Sequence, residues 1–174
     1  MSDSNKLVEV APLSRLKIRN ISMALREAIR LPNNQAFPIA YFIENMLIDL
    51  DPKFEFYILE MKEMGTQEGL TIPDAHCMYI RQDVYDGASN KISNPRDLFT
   101  LAHELGHYLL HTTDRVRFAR NSNVEPYRQP EWQANTFAAE LLCPGPIAKT
   151  MSVSDLVTTF KVSQSVAEIQ RRVK

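Results

Sequence analysis

The 174-residue sequence predicts an α+β domain, mostly helical, with a small, largely antiparallel three-stranded sheet preceding its central helix. Three observations carry that prediction. Apolar residues recur at helical spacing in the first part of the chain and again after Asn94. Between them, FEFYILEM, GLTIP and CMYIRQDV are short and β-prone, partly alternating in the period of a strand, with Pro73-Asp74 as a turn between the last two. Hydrophobic content of 44% and a net charge of −1 suit one compact domain with a sizeable core.

Taken in order, Leu16, Ile18, Ile21, Leu25, Ala28 and Ile29 mark a first amphipathic helix between Ser14 and Arg30, which LPNNQAFP breaks. IAYFIENMLIDL reads as a second helix ended by Asp51-Pro52. After the three strand segments, DGASNKISNP is a polar loop, and the chain then stays mostly helical. There is no internal repeat and no low-complexity segment. The next helix has a readable start: Asn94 as N-cap, Pro95 at the first helical position, and Asp97 near the free backbone N–H groups. On it Leu98, Leu101, Ala102, Leu105 and Leu109 share one face, and His103 and His107 fall opposite, about 40° apart. Gly106 costs about 1 kcal/mol there relative to Ala, which a close approach of another backbone or a substrate would explain.

Composition narrows the function classes. Twenty basic residues against twenty-one acidic ones, spread along the chain, provide no global attraction to nucleic acid or anionic membrane. No stretch has signal-peptide character or transmembrane length, so a cytoplasmic protein without membrane partners is expected. Cys77 and Cys143 are too few for a disulfide framework or a thiolate zinc site and are expected to be buried thiols.

The stretch HELGH, His103 to His107, carries the chemistry. Two histidines four residues apart on a helix lie about 6 Å apart along its axis, and their rings can converge on one ion at about 2 Å each. Zinc, one ion per chain, suits such a pair. Glu104 points to the neighbouring edge of the same face, where it reaches water at the metal without being a ligand. Zinc lowers the pKa of that water towards about 7, and the carboxylate takes its proton as it attacks a peptide carbonyl, then passes it to the leaving amine. These residues alone leave open a buried helix with two hydrogen-bonded core histidines.

The third ligand has several candidates: His76, His111, Glu125, Glu131 and Glu140. His111 lies about 12 Å along the axis from His103 and suits a supporting or helix-end role. His76 follows a turn and has no spacing argument. Glu131 is better placed, one turn before Asn135 on one face of a helix starting at Pro130, although a first-turn carboxylate also complements the helix dipole. Glu140 lies about 180° round from Glu131, so both cannot face one ion. Glu125, in a loop, stays open.

FTLAHELGHYLLH followed by EWQANTFAAELLCP, in the pattern E-x-x-A-N-x-F-A-A-E-L-L-x-P, resembles the ImmA/IrrE family of metallopeptidases. GLTIP and YIRQDV resemble the strands before that family's active helix, so the likeness covers roughly Glu68 to Pro144. It implies a zincin-like domain over residues 1–150, with His103, His107 and Glu131 binding zinc and Glu104 as catalytic base. His111 and Asn135 are expected to support these ligands, and Tyr127 is the candidate for oxyanion stabilisation. An edge strand expected around Met78 to Arg81 would align the substrate by main-chain pairing. Family members cleave DNA-binding repressors of phages, mobile elements or stress responses, so the implied partner is a helix-turn-helix repressor encoded nearby.

Residues 151–174 resemble the family's helix-turn-helix-like tail, with Lys161 where a turn glycine is common. Leu156, Val157, Phe160, Val162, Val166 and Ile169 are expected to pack it on the same domain, and Arg171, Arg172 and Lys174 to form a solvated end rather than a DNA clamp. The alternative to an enzyme is a regulatory binding module of toxin–antitoxin type that keeps the metal without proteolysis. A purely structural zinc needs four protein ligands and no adjacent base, which favours the enzyme.

Overall fold

The computed structural model describes residues 8–113, 116–118 and 124–173, with backbone alone for 116–118. Lys174 lies outside the described residues. In chain order the elements are β1 (Val8–Val10), α1 (Arg15–Ala28), α2 (Ile39–Tyr41), a π-helical turn (Phe42–Met46), α3 (Leu47–Leu50), β2 (Glu55–Leu59) and α4 (Met61–Met64). They continue with β3 (Gly69–Ile72), β4 (Cys77–Arg81), α5 (Gln82–Ser89), α6 (Pro95–Leu110), β5 (Val116–Phe118), α7 (Pro130–Leu142), α8 (Gly145–Ala148), α9 (Val153–Phe160) and α10 (Gln164–Arg172). Short 3₁₀ turns lie at Pro73–Ala75 and Pro126–Arg128.

The fold is mixed α+β with a small three-stranded sheet, as expected, but the sheet is partly parallel. Its order is β2-β4-β3: β3 and β4, joined through the Pro73–Ala75 turn, pair antiparallel, whereas β2 runs parallel to β4. The connection from β2 to β4, through α4 and β3, is long enough for a parallel crossover. The expected edge strand at Met78–Arg81 is corrected by the same topology. β4 is the central strand, with Cys77, Met78 and Ile80 buried, and the edges are β3 and β2. Separately, β1 pairs antiparallel with β5.

α1 starts at Ser14, whose hydroxyl accepts from the Lys17 amide. Its buried line is Ile18, Ser22 and Arg26, while Leu16 is 62% exposed, so the apolar period only partly marks the packed face. The reason is polar: the Ser22 hydroxyl bonds the Ile18 carbonyl at 3.1 Å, and Arg26 donates to the carbonyls of Leu141, at 2.8 Å, and Pro32. A small hydroxyl and a backbone-capping guanidinium let α1 lie against α7. Burial pulls the Arg26 guanidinium down to about 10.

α6 is capped by Asn94, which accepts from the Arg96 amide at 3.0 Å, and it is buried over most of its circumference. Leu98, Leu101, Ala102 and Leu105 join the core with Phe137, Ala138 and Leu141 of α7. A Cβ added at Gly106 would sit 3.1 Å from the Ala134 Cα and 3.2 Å from its carbonyl oxygen, so the helices meet backbone to backbone there. This close approach fixes the distance between the residues that α6 and α7 carry towards solvent.

α9 and α10 are each N-capped by a serine, Ser152 and Ser163, and Lys161 between them takes the left-handed conformation (φ 55°) that the glycine-like position called for. Leu156, Phe160, Val162 and Ala167 enter the same core as α6 and α7, with Val157 and Val166 half-buried. Ile169 is 55% exposed and does not pack as expected; its turn of α10 faces inwards through Gln170, which donates to the Cys143 carbonyl at 2.6 Å and accepts from Arg15. Cys77 and Cys143 are both buried free thiols, and burial raises the Cys143 thiol to about 12. Among the described residues no helix is long and apolar enough to cross a membrane.

Candidate metal centre

α6 and the first turn of α7 bring three side chains together. His103 and His107, one helical turn apart, turn their Nε2 atoms towards each other at 3.0 Å. Glu131 reaches in from α7, with Oε2 3.3 Å from His103 Nε2 and Oε1 3.2 Å from His107 Nε2. Among the described residues, these three form a group whose ligand atoms all lie within 4.8 Å of one another. A tetrahedral ion with bonds of about 2.0–2.1 Å separates its ligand atoms by about 3.3 Å. The observed spacings therefore fit a tetrahedral metal, and two imidazoles with one carboxylate are donors that zinc accepts in open sites.

The outer nitrogens are occupied. His103 Nδ1 meets Asn135 Oδ1 at 2.9 Å, and His107 Nδ1 meets His111 Nδ1 at 2.9 Å. Such partners orient a ligating ring and leave the opposite nitrogen's lone pair for the ion. Burial, with the His103 charge adding to it, pulls His107 down to about 4, which keeps it in the neutral form that binds metal.

Glu104 is buried, unlike Glu131, which is largely exposed. Its Oε2 accepts from the Thr71 hydroxyl at 2.6 Å, so strand β3 holds the carboxylate. Burial raises its carboxyl pKa; the Thr71 bond and His103 oppose that rise, and Glu131 adds to it. Gly69, two residues before Thr71, leaves the space: a Cβ there would fall 2.6 Å from Glu104 Cγ. Together Gly69, Leu70, Thr71, His103, Glu104, His107 and Glu131 line an open cleft of about 340 Å³, with edge strand β3 as one wall. A slightly larger cleft, about 400 Å³, lies between residues 36–44 and α5 and has none of these groups.

The other residues singled out in the sequence lie elsewhere. His111 caps the C-terminus of α6 and is buried behind His107. Glu140, about 180° round α7 from Glu131, is buried under Arg15, at 2.8 Å, and Arg19, at 3.0 Å. His76 pairs with Asp51 at 2.5 Å. Glu125 precedes the Pro126–Arg128 turn and does not join the cluster. Tyr127 does not line the cleft; its ring is near the Arg128 guanidinium, and its carbonyl accepts from Leu13 and Gln133. Sequence reasoning missed Gly69, Thr71 and Gln133. The alternation in GLTI places Gly69 and Thr71 on one face, but nothing local says which helix that face meets.

A helix bearing two convergent histidines, a carboxylate from the neighbouring helix and a buried glutamate beside them define a site of metallopeptidase type. Residues 89–170 match the family model Peptidase_M78, described as the IrrE N-terminal-like domain, and that match supports the resemblance to the ImmA/IrrE family. A comparison with curated proteins finds no match.

Proposed function

We propose that the chain is a zinc-dependent, site-specific endopeptidase acting in the cytoplasm on a regulatory protein, of which a helix-turn-helix repressor encoded nearby is the expected kind. The observation that carries this reading is the placement of the buried Glu104 carboxylate beside the convergent His103, His107 and Glu131 donors. A zinc ion held there supplies Lewis acidity and makes water acidic enough to act near neutral pH. Glu104 takes the proton of the attacking water and delivers it to the leaving amine, with Thr71 holding its carboxylate in line. Edge strand β3 offers its free main-chain groups to an extended substrate segment, so peptide and catalytic helix meet across one cleft.

Glu104→Gln tests the reading. The variant should fold, bind zinc like the wild type and lose about 10²–10⁴-fold in cleavage of the repressor encoded beside it, scored on a gel. Undiminished cleavage would refute the role of Glu104. Relief of repression by the variant with the partner intact would favour the binding module instead.

A further inference from the structure

We infer that Gln133 is a positioning residue that sets the tautomer of His107 through His111. Gln133 is fully buried on α7. Its side-chain nitrogen lies 2.9 Å from the Ala11 carbonyl oxygen and 2.8 Å from the Tyr127 carbonyl oxygen. Only the NH₂ end of the amide can satisfy two carbonyls, so the opposite end, Oε1, is an acceptor. That oxygen lies 3.2 Å from His111 Nε2, which must then carry the hydrogen.

The polarity propagates. A neutral imidazole protonated at Nε2 has its lone pair on Nδ1, and His111 Nδ1 is 2.9 Å from His107 Nδ1. His107 Nδ1 therefore donates and its Nε2 is left bare towards His103 Nε2; Glu131 Oε1, 3.2 Å from the same nitrogen, can only accept, so in the metal-free protein the Gln133–His111 chain holds the hydrogen at Nδ1 against it. Two backbone carbonyls, which cannot change sign, thus dictate which nitrogen of a ligating histidine is free. One carbonyl belongs to the segment after β1. The other belongs to the Pro126–Arg128 turn, and Leu13 donates to that same oxygen at 3.1 Å. Ala11 and Leu13, which do not line the cleft, act on the site through this chain.

The inference rests on the metal reading for its purpose, but the tautomer is a property of the metal-free protein and is tested there. Long-range proton–nitrogen correlation spectra of the ¹⁵N-labelled apoprotein at about pH 8, above the usual histidine range, report which ring nitrogen carries hydrogen. In the wild type His107 should be protonated at Nδ1 and bare at Nε2. Gln133→Met, close in volume but unable to accept, should lose that preference and weaken zinc binding by about 10–100-fold in competition with a chelator. Circular dichroism of the variant establishes that it is folded. A wild-type His107 protonated at Nε2 overturns the inference whether or not the variant folds, and so does a folded Gln133→Met with unchanged tautomer and affinity. An Nδ1-protonated wild type with no peptidase activity would leave the inference standing and sink the functional reading.

Discussion

Gly69→Ala isolates the placement of Glu104 from its chemistry. The added methyl would lie 2.6 Å from Glu104 Cγ and 2.8 Å from both Cδ and Oε1. Ordinary contact begins near 3.4 Å, so either the strand or the side chain must give way by about 0.8 Å. Backbone movement is opposed by the pairing of Gly69 with Ile80 of the central strand, so the glutamate yields more readily. A shift of about 1 Å at a reacting group costs on the order of 10²-fold in rate, and the variant should lose activity on that scale.

Global stability should fall much less, by about 1–3 kcal/mol for an overpacked contact, with part relieved as Glu104 swings towards the open cleft. His103, His107 and Glu131 are untouched, so zinc affinity should stay near the wild-type value. The assay is cleavage rate measured beside melting temperature and zinc content on the same preparation. Full activity would refute the account of Glu104, since a carboxylate that tolerates this methyl is not held in place by β3. Loss of zinc in step with loss of activity would also refute it, because the defect would then lie in the ligands.

Two further predictions concern groups away from the cleft. Glu140→Leu removes a buried carboxylate that Arg15, Arg19 and the Gly145 amide all use. It should cost about 3 kcal/mol in urea unfolding, the low end for a broken buried pair because both guanidiniums keep some contact with water, and leave zinc affinity unchanged. A drop in zinc affinity would contradict its placement on the far side of α7. The Asp51 carboxyl is held down to about 2, first by the Tyr108 hydroxyl and then by His76. A carboxyl lowered on folding contributes stability above its ordinary pKa and loses it as pH falls through the folded value, here between about 4 and 2. Tyr108→Phe should therefore raise the Asp51 titration midpoint, read by carbon NMR, and move the acid loss of stability upwards; an unmoved midpoint would show that His76 alone sets it.

What was legible in the sequence was local. Asn94, Pro95 and the helical period placed α6 and the two histidines, and the angular separation of Glu131 from Glu140 sorted one acidic residue into the cleft and the other against arginines. What was not legible depends on partners distant in the chain. Alternation in three short segments cannot say that β2 passes over β3 to pair with β4, nor that GLTI rather than MYIR forms the wall of the cleft. Arg26 carried no apolar signal, yet it is fully buried because three carbonyls from two segments receive it. Gln133 was one of two unremarkable positions inside EWQAN, and its partners Ala11 and Tyr127 lie in segments with no motif.

The packing of α6 on α7 and the geometry of the donors are one problem. Glu131 must stand about 3.3 Å from two imidazoles on another helix, and that requires the two axes to come closer than ordinary side chains allow. Gly106 and Ala134 supply the approach, at the cost of helix propensity at Gly106. Gln133 and Asn135 flank Ala134 on the same helix, so the residues that grip His111 and His103 move with the contact that sets the interhelical distance. A change that separates the helices would therefore lengthen the ligand spacing and loosen both outer hydrogen bonds together. The small-residue contact belongs to the centre's architecture as much as the ligands do.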